Sequence, residues 1–328
     1  MIMNNRPKIS VIVPCYNLGN FLIPCLNSIQ RQNNLGVEYI FVNDGSTDNT
    51  LDILKVFCEN GINYILIDQV NAGVSNARNT ALDIAHGDYI YLLDGDDILT
   101  DCAIEKMISC IEANSPDIIL SSVIIREGNK QVPISLNLKS GNYLPESLYK
   151  SCRYFPTMPQ LLYRRAMIKQ YGLRFNSNLR LGEVYDFSIR AMVVSSRVTV
   201  TEQSFFIYVM RAASATHKPK YQIDVTVLDT IKEYNKWGGK LRKYSSFQAT
   251  AFKMLMSFTY NKYVKTGVCN QEACKVIEAV LEDKVAKSCI ENVAFSISMP
   301  IKMRVLALYI LLFRIPGFRL LCSFFKLI

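Results

Sequence analysis

The chain has 328 residues, of which 50% are hydrophobic and 20% charged, and its formal net charge is +9 at pH 7. This length allows one large domain or two smaller ones with a sizeable hydrophobic core. The ten cysteines include no paired C-x-x-C spacing, which argues against structural zinc, and the first residues lack the apolar core of a signal peptide. We therefore expect reduced thiols and a cytoplasmic protein.

The charge is unevenly distributed along the chain. Residues 1–100 contain five Lys or Arg and eleven Asp or Glu, a net charge of −6, so the remaining residues carry +15. An acidic N-terminal part and a basic C-terminal part indicate different partners for the two parts. The basic part contains no helix-turn-helix, zinc-finger or RNP-type aromatic motif, so we do not expect nucleic-acid binding.

Short apolar runs alternate with longer amphipathic segments in the first half of the chain. The apolar runs predict five strands, at Lys8–Pro14, Glu38–Asp44, Asn63–Asp68, Asp88–Asp94 and Asp117–Ile125. The amphipathic segments predict four helices, at Phe21–Gln32, Thr50–Glu59, Val74–Ala85 and Cys102–Ala113. The first four runs are nearly continuously hydrophobic, as is typical of parallel strands covered by helices on both faces. The pattern therefore predicts an α/β, Rossmann-like fold with a mostly parallel sheet flanked by helices.

Polar residues follow four of the predicted strands, in the sequences PCYN, NDGSTD, VNAGVSNARN and DGDD. In parallel sheets, ligands bind beyond the carboxyl ends of the strands, so these four clusters predict a single site. The chain has neither G-x-G-x-x-G after the first strand nor G-x-x-x-x-G-K-[ST]. Both an NAD-binding fold and a P-loop are therefore disfavoured.

Three carboxylates, Asp94, Asp96 and Asp97, crowd the end of the fourth predicted strand. Such crowding is unfavourable unless a cation is present. Mg²⁺ and Mn²⁺ take one or two protein carboxylates, with phosphate oxygens completing the coordination shell. Asp97 is also explained as a loop or cap residue.

The other clusters contain groups that suit a nucleotide. Asp44 can accept a hydrogen bond from the N–H of a base, Tyr16 can stack on a base, and Arg78 can meet a phosphate or a carboxylate. Each also has a structural explanation, as a turn residue, a packed aromatic ring or a surface charge. Together with a divalent cation, these residues predict a site for a nucleoside diphosphate.

The order of these motifs resembles glycosyltransferase family 2, whose members have a GT-A fold. The matching segments are Val11–Asn17, Val42–Asp48, Asn71–Asn79 and Gly87–Asp97. The resemblance covers about the first third of the chain without interruption, with weaker similarity to about Lys218.

The resemblance implies roles for individual residues. Pro14 and Tyr16 would line the nucleobase pocket, and Asp44 would bind the base, commonly uracil. Asn71 and Arg78 would belong to the nucleotide site.

For the acids after the fourth strand, the resemblance implies a metal site. Asp94 would approach the ribose or the metal, and Asp96 would ligate the cation, Mn²⁺ or Mg²⁺, that bridges the diphosphate. In a weaker match at Ile207–Lys218, Arg211 or His217 would reach the diphosphate when a loop closes, although His217 is also explained as a polar loop residue.

The catalytic base is less clear, because the family usually has a G-E-D sequence whose Asp accepts the proton of the acceptor hydroxyl. This chain has Gly182, Glu183 and Val184 there. Glu183 and Asp186 are the available replacements; they share a face in a helix, whereas Asp186 and Val184 share a side in an extended segment. We favour Glu183 over Asp186, and a purely structural role for both stays open.

From about Tyr221 the sequence pattern becomes helical. The longest uncharged run of the last segment, Val305–Phe313, has nine residues, far fewer than the ~20 that span a bilayer. From Lys284 onward there are seven Lys or Arg and one acid, Glu291. Apolar segments with scattered cations suit an interfacial helix on an anionic membrane; the alternative is a helix packed on the first domain.

We therefore expect a GT-A domain in residues 1–220 and a C-terminal helical region, associated with the membrane surface, in residues 221–328. The resemblance implies an inverting, metal-dependent hexosyltransferase that uses a nucleotide-sugar donor, commonly UDP-linked. Its acceptor would be a polysaccharide or a lipid-linked oligosaccharide, as in capsule or O-antigen synthesis, and the protein would lie on the inner face of the membrane. The alternative, suggested by Val184, is a sugar-nucleotide-binding scaffold or partner subunit with little turnover.

Overall fold

The computed structural model describes most of the first 210 residues and parts of the rest. The described ranges are 7–33, 35–59, 63–136, 138–151, 161–179, 182–210, 226–244 and 278–295, with eight further positions at 247, 250–252, 304, 307, 308 and 310. Contacts divide the chain into two compact units. The first contains Met1–Pro145, Pro156–Asn178 and Arg190–Arg211. The second contains Glu146–Phe155, Leu179–Ile189 and Ala212–Ile328.

A ten-stranded sheet forms the centre of the first unit. Its strands are β1 Ile9–Cys15, β2 Val37–Asp44, β3 Tyr64–Gln69, β4 Tyr89–Leu92, β5 Ile98–Leu99, β6 Ile118–Glu127, β7 Lys130–Ile134, β8 Gly141–Tyr143, β9 Leu161–Arg164 and β10 Val198–Met210. The order is β3-β2-β1-β4-β9-β6-β10-β5, with β7 on β6 and β8 on β10. The α/β prediction is confirmed. The sheet is mixed, because β5, β7, β8 and β9, which the apolar runs did not predict, all pair antiparallel.

The described helices lie between these strands and in the second unit. They are α1 Ile23–Gln30, α2 Thr50–Glu59, α3 Val74–Ile84, α4 Ala103–Asn114, α5 Pro145–Ser151, α6 Arg165–Gln170, α7 Glu183–Val194, α8 Thr226–Trp237 and α9 Lys284–Phe295. α2 has the predicted bounds. The predicted helix from Phe21 is instead a 3-10 turn at Gly19–Leu22 followed by α1, with a proline in the first turn of α1, where its missing N–H costs nothing.

The core of the first unit explains why the strands read as continuous apolar runs. Every residue of β1 and β2 is buried, whereas β3 is half-exposed because it lies at the edge of the sheet. β1, β2, β3 and β4 are neighbouring parallel strands, and their register pairs Cys15 with Asn43 and Asp44 with Gln69. The four polar loops therefore leave the sheet side by side at its carboxyl edge.

The second unit is held by aromatic and ionic contacts between its described residues. The rings of Tyr234 and Phe247 stack with centroids 4.3 Å apart, and Lys232 of α8 pairs with Asp283 at 3.0 Å. None of the helices in the described residues is long and apolar enough to cross a membrane. Most of the predicted interfacial segment, including most of Val305–Phe313, lies outside the described residues.

Candidate active site

The loops after β1 and β2 are joined through backbone amides. Thr47 donates its amide hydrogen to Asn17 Oδ1 at 2.7 Å. The amides of Leu18 and Gly19 both donate to Thr50 Oγ1, at 2.9 Å each. Thr50 is the first residue of α2, so the start of this helix fixes the loop that carries the predicted nucleobase residues.

Asp44, at the end of β2, organises the loop after β3. The residue is 2% exposed, and its carboxylate accepts hydrogen bonds from the amides of Ala72 and Gly73, at 2.9 and 2.8 Å, and from Gln69 Nε2 at 2.7 Å. Asn71 Nδ2 donates to the Asp44 carbonyl at 2.8 Å. Asp44, the residue predicted to bind the nucleobase, thus also holds the loop that contains Asn71 in place.

The turn after β4 packs against the end of β1. A Cβ atom added to Gly95 would lie 2.6 Å from Leu18 Cδ1 and 3.3 Å from the Pro14 carbonyl oxygen, so a larger residue would displace the Leu18 side chain. Pro14 is buried, and Tyr16 is 51% exposed. The ring of Tyr16 is therefore exposed enough to contact a ligand, whereas Pro14 is covered by neighbouring residues.

Arg78 of α3 is buried beside Asp94. The guanidinium, with 4% of the side chain exposed, donates from Nη2 to Asp94 Oδ1 at 2.8 Å. Its Cζ lies 5.2 Å from the centroid of the Phe175 ring. The Asp94 side chain is 39% exposed, and its Oδ2 accepts no hydrogen bond from the described residues. Asp94 thus has one oxygen committed to Arg78 and one open to a ligand.

Asp97 ties the same turn to β10. It is 1% exposed, its amide donates to the Asp94 carbonyl at 2.9 Å, and its Oδ1 accepts from the Val209 amide at 3.1 Å. Burial, reinforced by the Asp94 charge, raises the pKa of Asp97 well above its usual value, although the hydrogen bond from Val209 opposes the shift. Asp97 is therefore buried and engaged, and Asp94 and the half-buried Asp96 are the acids that can meet a ligand.

The fit of this turn to a divalent cation rests on two carboxylates. Within the described residues, no group of three or more His, Cys, Asp and Glu side chains is arranged to hold a metal ion. Mg²⁺ and Mn²⁺ need only one or two carboxylates where a nucleotide diphosphate supplies further oxygens. Asp94, through Oδ2, and Asp96 supply two such carboxylates, so their chemistry fits a cation held jointly with a diphosphate.

The two candidates for the catalytic base, Glu183 and Asp186, belong to the second unit. α7 begins at Glu183, so Glu183 and Asp186 lie three residues apart on one helical face. The Asp186 amide donates to the Gly182 carbonyl at 3.1 Å. Asp186 as a residue is 1% exposed, whereas Glu183 and Val184 are partly exposed. Glu183 is thus the more exposed of the two acids.

The structure brings most of the predicted nucleotide and metal residues to the carboxyl edge of one sheet. Arg211 and His217 lie outside the described residues. The sequence reasoning missed Phe175 and the contact of Asp97 with Val209. No sequence pattern indicates either contact. Phe175 is a buried aromatic residue far from Arg78 in the chain, and Val209 contacts Asp97 only through its backbone amide.

Residues 10–172 match the model of glycosyl transferase family 2. The uncharacterized glycosyltransferase EpsJ of Bacillus subtilis is 29% identical over 220 residues, which are 65% of this chain and 64% of EpsJ. The uncharacterized glycosyltransferase YibD of Escherichia coli is 30% identical over 225 residues, 66% of this chain and 65% of YibD. A poly(ribitol-phosphate) beta-glucosyltransferase of Bacillus spizizenii is 30% identical over 209 residues, 62% of this chain but only 32% of that protein. The chain therefore spans just under two thirds of the first two relatives.

Solved structures have the same fold. Residues 1–349 of Staphylococcus aureus TarS, in complex with UDP, superpose with a TM-score of 0.71 at 21% identity, covering 97% of this chain and 91% of that one. The Pyrobaculum calidifontis mannosyltransferase PcManGT, in complex with GDP-Man and Mn²⁺, has a TM-score of 0.56 at 15% identity, covering 93% and 85%. The chain has the GT-A fold, and it belongs to glycosyl transferase family 2.

Proposed function

We propose that the protein is an inverting, metal-dependent glycosyltransferase that transfers a hexose-type sugar from a UDP-sugar to a saccharide acceptor. The observation that carries this proposal is the turn after β4. There the half-exposed Asp94 keeps Oδ2 open while Oδ1 is held by the buried Arg78, and Asp96 follows two residues later. This is the acid pair that a diphosphate-bound cation needs.

The donor part of the proposal rests on the loops around Asp44. The half-exposed ring of Tyr16 can stack on a nucleobase, and Asp44 Oδ2, which accepts one hydrogen bond from Gly73, keeps acceptor capacity for a base N–H. Uracil is the proposed base because TarS, a protein of the same fold, was crystallised with UDP. PcManGT, crystallised with Mn²⁺, supports Mn²⁺ or Mg²⁺ as the cofactor.

In the proposed reaction, the acceptor hydroxyl oxygen attacks the anomeric carbon of the donor sugar from the face opposite the UDP group. The new C–O bond forms as the bond from that carbon to the diphosphate breaks, and UDP leaves with the bonding electron pair. Glu183 accepts the hydroxyl proton. A bound Mn²⁺ or Mg²⁺ would stabilise the negative charge that develops on the departing diphosphate. Arg78 holds Asp94, and Asp97 anchors the turn that carries both acids.

The acceptor is proposed as a polysaccharide or a lipid-linked oligosaccharide. A relative named a poly(ribitol-phosphate) beta-glucosyltransferase supports an anionic cell-surface polymer among the candidates. The basic composition of the chain after residue 100 suits an anionic polymer or an anionic membrane. We therefore propose that the protein works at the cytoplasmic face of the membrane, with its C-terminal region at the lipid surface.

A transfer assay tests the reaction and the base together. The native chain is incubated with Mn²⁺, a panel of UDP-sugars, and either poly(ribitol phosphate) or simple oligosaccharides, and UDP release is measured with and without acceptor. Glu183→Gln should lower kcat by about 10²- to 10⁴-fold, the usual contribution of a general base, with UDP affinity unchanged. Glu282→Gln, an exposed acid of the same unit, should be neutral.

The outcomes separate the proposal from its alternatives. If Asp186→Asn abolishes transfer and Glu183→Gln does not, the base assignment is wrong. If the native chain binds UDP but releases none from any donor and acceptor pair, the activity is contradicted and a sugar-nucleotide-binding scaffold is favoured.

A further inference from the structure

The buried guanidinium of Arg78 lies between a carboxylate and an aromatic ring. It donates to Asp94 Oδ1 at 2.8 Å, and the Phe175 ring lies 5.2 Å from its Cζ. A buried cation is unfavourable unless it is paired, and an aromatic face contributes further stabilisation. Asp94 already supplies the pairing charge. The contribution of Phe175 is steric, because the ring over which the guanidinium lies limits how the guanidinium plane can turn.

Phe175 is itself fixed to the helix that carries Arg78. Asn79 Nδ2 donates to the Phe175 carbonyl at 2.9 Å, and the Phe175 amide donates to Asn79 Oδ1 at 2.8 Å. Next to it, Arg174 forms an ion pair with Asp83 of α3. Phe175 is 3% exposed. The segment around Phe175 is thus attached along α3 by both sides of one amide group and by an ion pair.

We infer that Phe175, fixed by Asn79, is a positioning residue that keeps Arg78 on one oxygen of Asp94 and so leaves Oδ2 open to the divalent cation. The inference rests on the proposed metal-dependent function. It explains why Arg78 makes a single hydrogen bond to Asp94 where arginine and carboxylate groups frequently form a bidentate pair.

The consequence concerns the cation affinity of the donor complex. Without the aromatic face, the guanidinium can turn and donate to both Asp94 oxygens. The cation would then compete with Arg78 for Oδ2. Loss of the ring should therefore weaken cation binding, although Phe175 does not contact the cation.

The test measures Mn²⁺ binding directly, from the signal of free Mn²⁺ in electron paramagnetic resonance, with saturating UDP and no acceptor. Phe175→Leu should raise the Kd of Mn²⁺ by about tenfold or more, the equivalent of the one charge-assisted hydrogen bond that the cation would have to displace from Oδ2. Phe175→Tyr keeps the ring and should restore the native Kd. Phe57→Leu removes an aromatic ring from the same unit, where Phe57 stacks on Tyr64, and should leave the Kd unchanged.

Unfolding by urea is followed for each variant to confirm that the protein tested is folded. If Phe175→Leu and Phe57→Leu lose similar stability and both bind Mn²⁺ like the native chain, Phe175 is only a core residue and the inference is overturned. If the native chain with UDP binds no Mn²⁺, the proposed metal dependence fails, and the inference fails with it. If the native chain with UDP binds Mn²⁺ and Phe175→Leu binds it with the same Kd, the inference is overturned and the proposed metal dependence stands.

Discussion

At the scale of single residues, Asp44 shows that one side chain can serve both fold and site. Its position after a buried strand suggested contact with a nucleobase. The structure shows its carboxylate already accepting hydrogen bonds from Ala72, Gly73 and Gln69. Asp44 therefore orders the loop after β3 through hydrogen bonds within the protein, and such ordering lowers the entropy cost of binding.

Gly45 gives a test of that ordering. Gly45 has φ +67°, and an added Cβ would lie 2.6 Å from the Asn71 amide nitrogen. Gly45→Ala should displace the Asn71 loop and weaken UDP binding about tenfold, equivalent to one or two hydrogen bonds. Calorimetric titration with UDP measures this affinity.

The matched control is Gly128→Ala. Gly128 has a similar φ of +57°, but nothing lies within 4 Å of an added Cβ. Both variants should lose about 1–2 kcal/mol through backbone strain, and only Gly45→Ala should lose UDP affinity. Equal UDP affinities in the two variants would show that the contact with Asn71 does not shape the site.

At the scale of elements, Asp283 caps the first turn of α9. It accepts hydrogen bonds from the amides of Val285 and Ala286, at 3.0 Å each, and pairs with Lys232. Burial alone would raise the pKa of Asp283, but the hydrogen bonds from Ala286 and Lys232 and the Lys232 charge outweigh burial and lower it. A lowered carboxyl pKa contributes stability above the unfolded pKa, and this stability is lost as the pH falls through the folded value.

The cap leads to a pH-dependent prediction. Asp283→Ala should destabilise the protein at pH 7 by about 1 kcal/mol, the usual value of a helix cap. The difference from the native chain should shrink as the pH falls below the unfolded pKa of Asp283 and through its lowered folded pKa. Urea unfolding over a series of decreasing pH values measures this, and a difference that stays constant with pH would contradict the role of the charge.

The elements also show what the sequence could predict. α2 has its predicted bounds because Asp48 caps it, accepting from the Thr50 amide at 3.0 Å. β9 was not predicted, since four residues carry too little periodicity and its partners β4 and β6 are distant in the chain. Its insertion places an antiparallel strand between β4 and β6.

At the scale of the whole molecule, the parallel order of β1 to β4 decides how much of the site can be predicted. Loops that follow neighbouring parallel strands must meet, so Tyr16, Asp44, Asn71 and Asp94 could be grouped from the sequence. Contacts that join distant segments could not be predicted, and the packing of Phe175 on Arg78 is such a contact.

The proposed function depends most on the acids after β4: Asp94 and Asp96 bind a divalent cation together with the diphosphate of the donor. The most direct test is calorimetric titration of UDP with and without Mn²⁺. Mn²⁺ should raise the UDP affinity of the native chain, and of a control with Asp52→Asn and Asp101→Asn at two exposed positions, by about tenfold or more, as expected for a cation shared with a diphosphate. In the variant with Asp94→Asn and Asp96→Asn, Mn²⁺ should have no such effect. An equal Mn²⁺ enhancement in all three proteins would contradict the account.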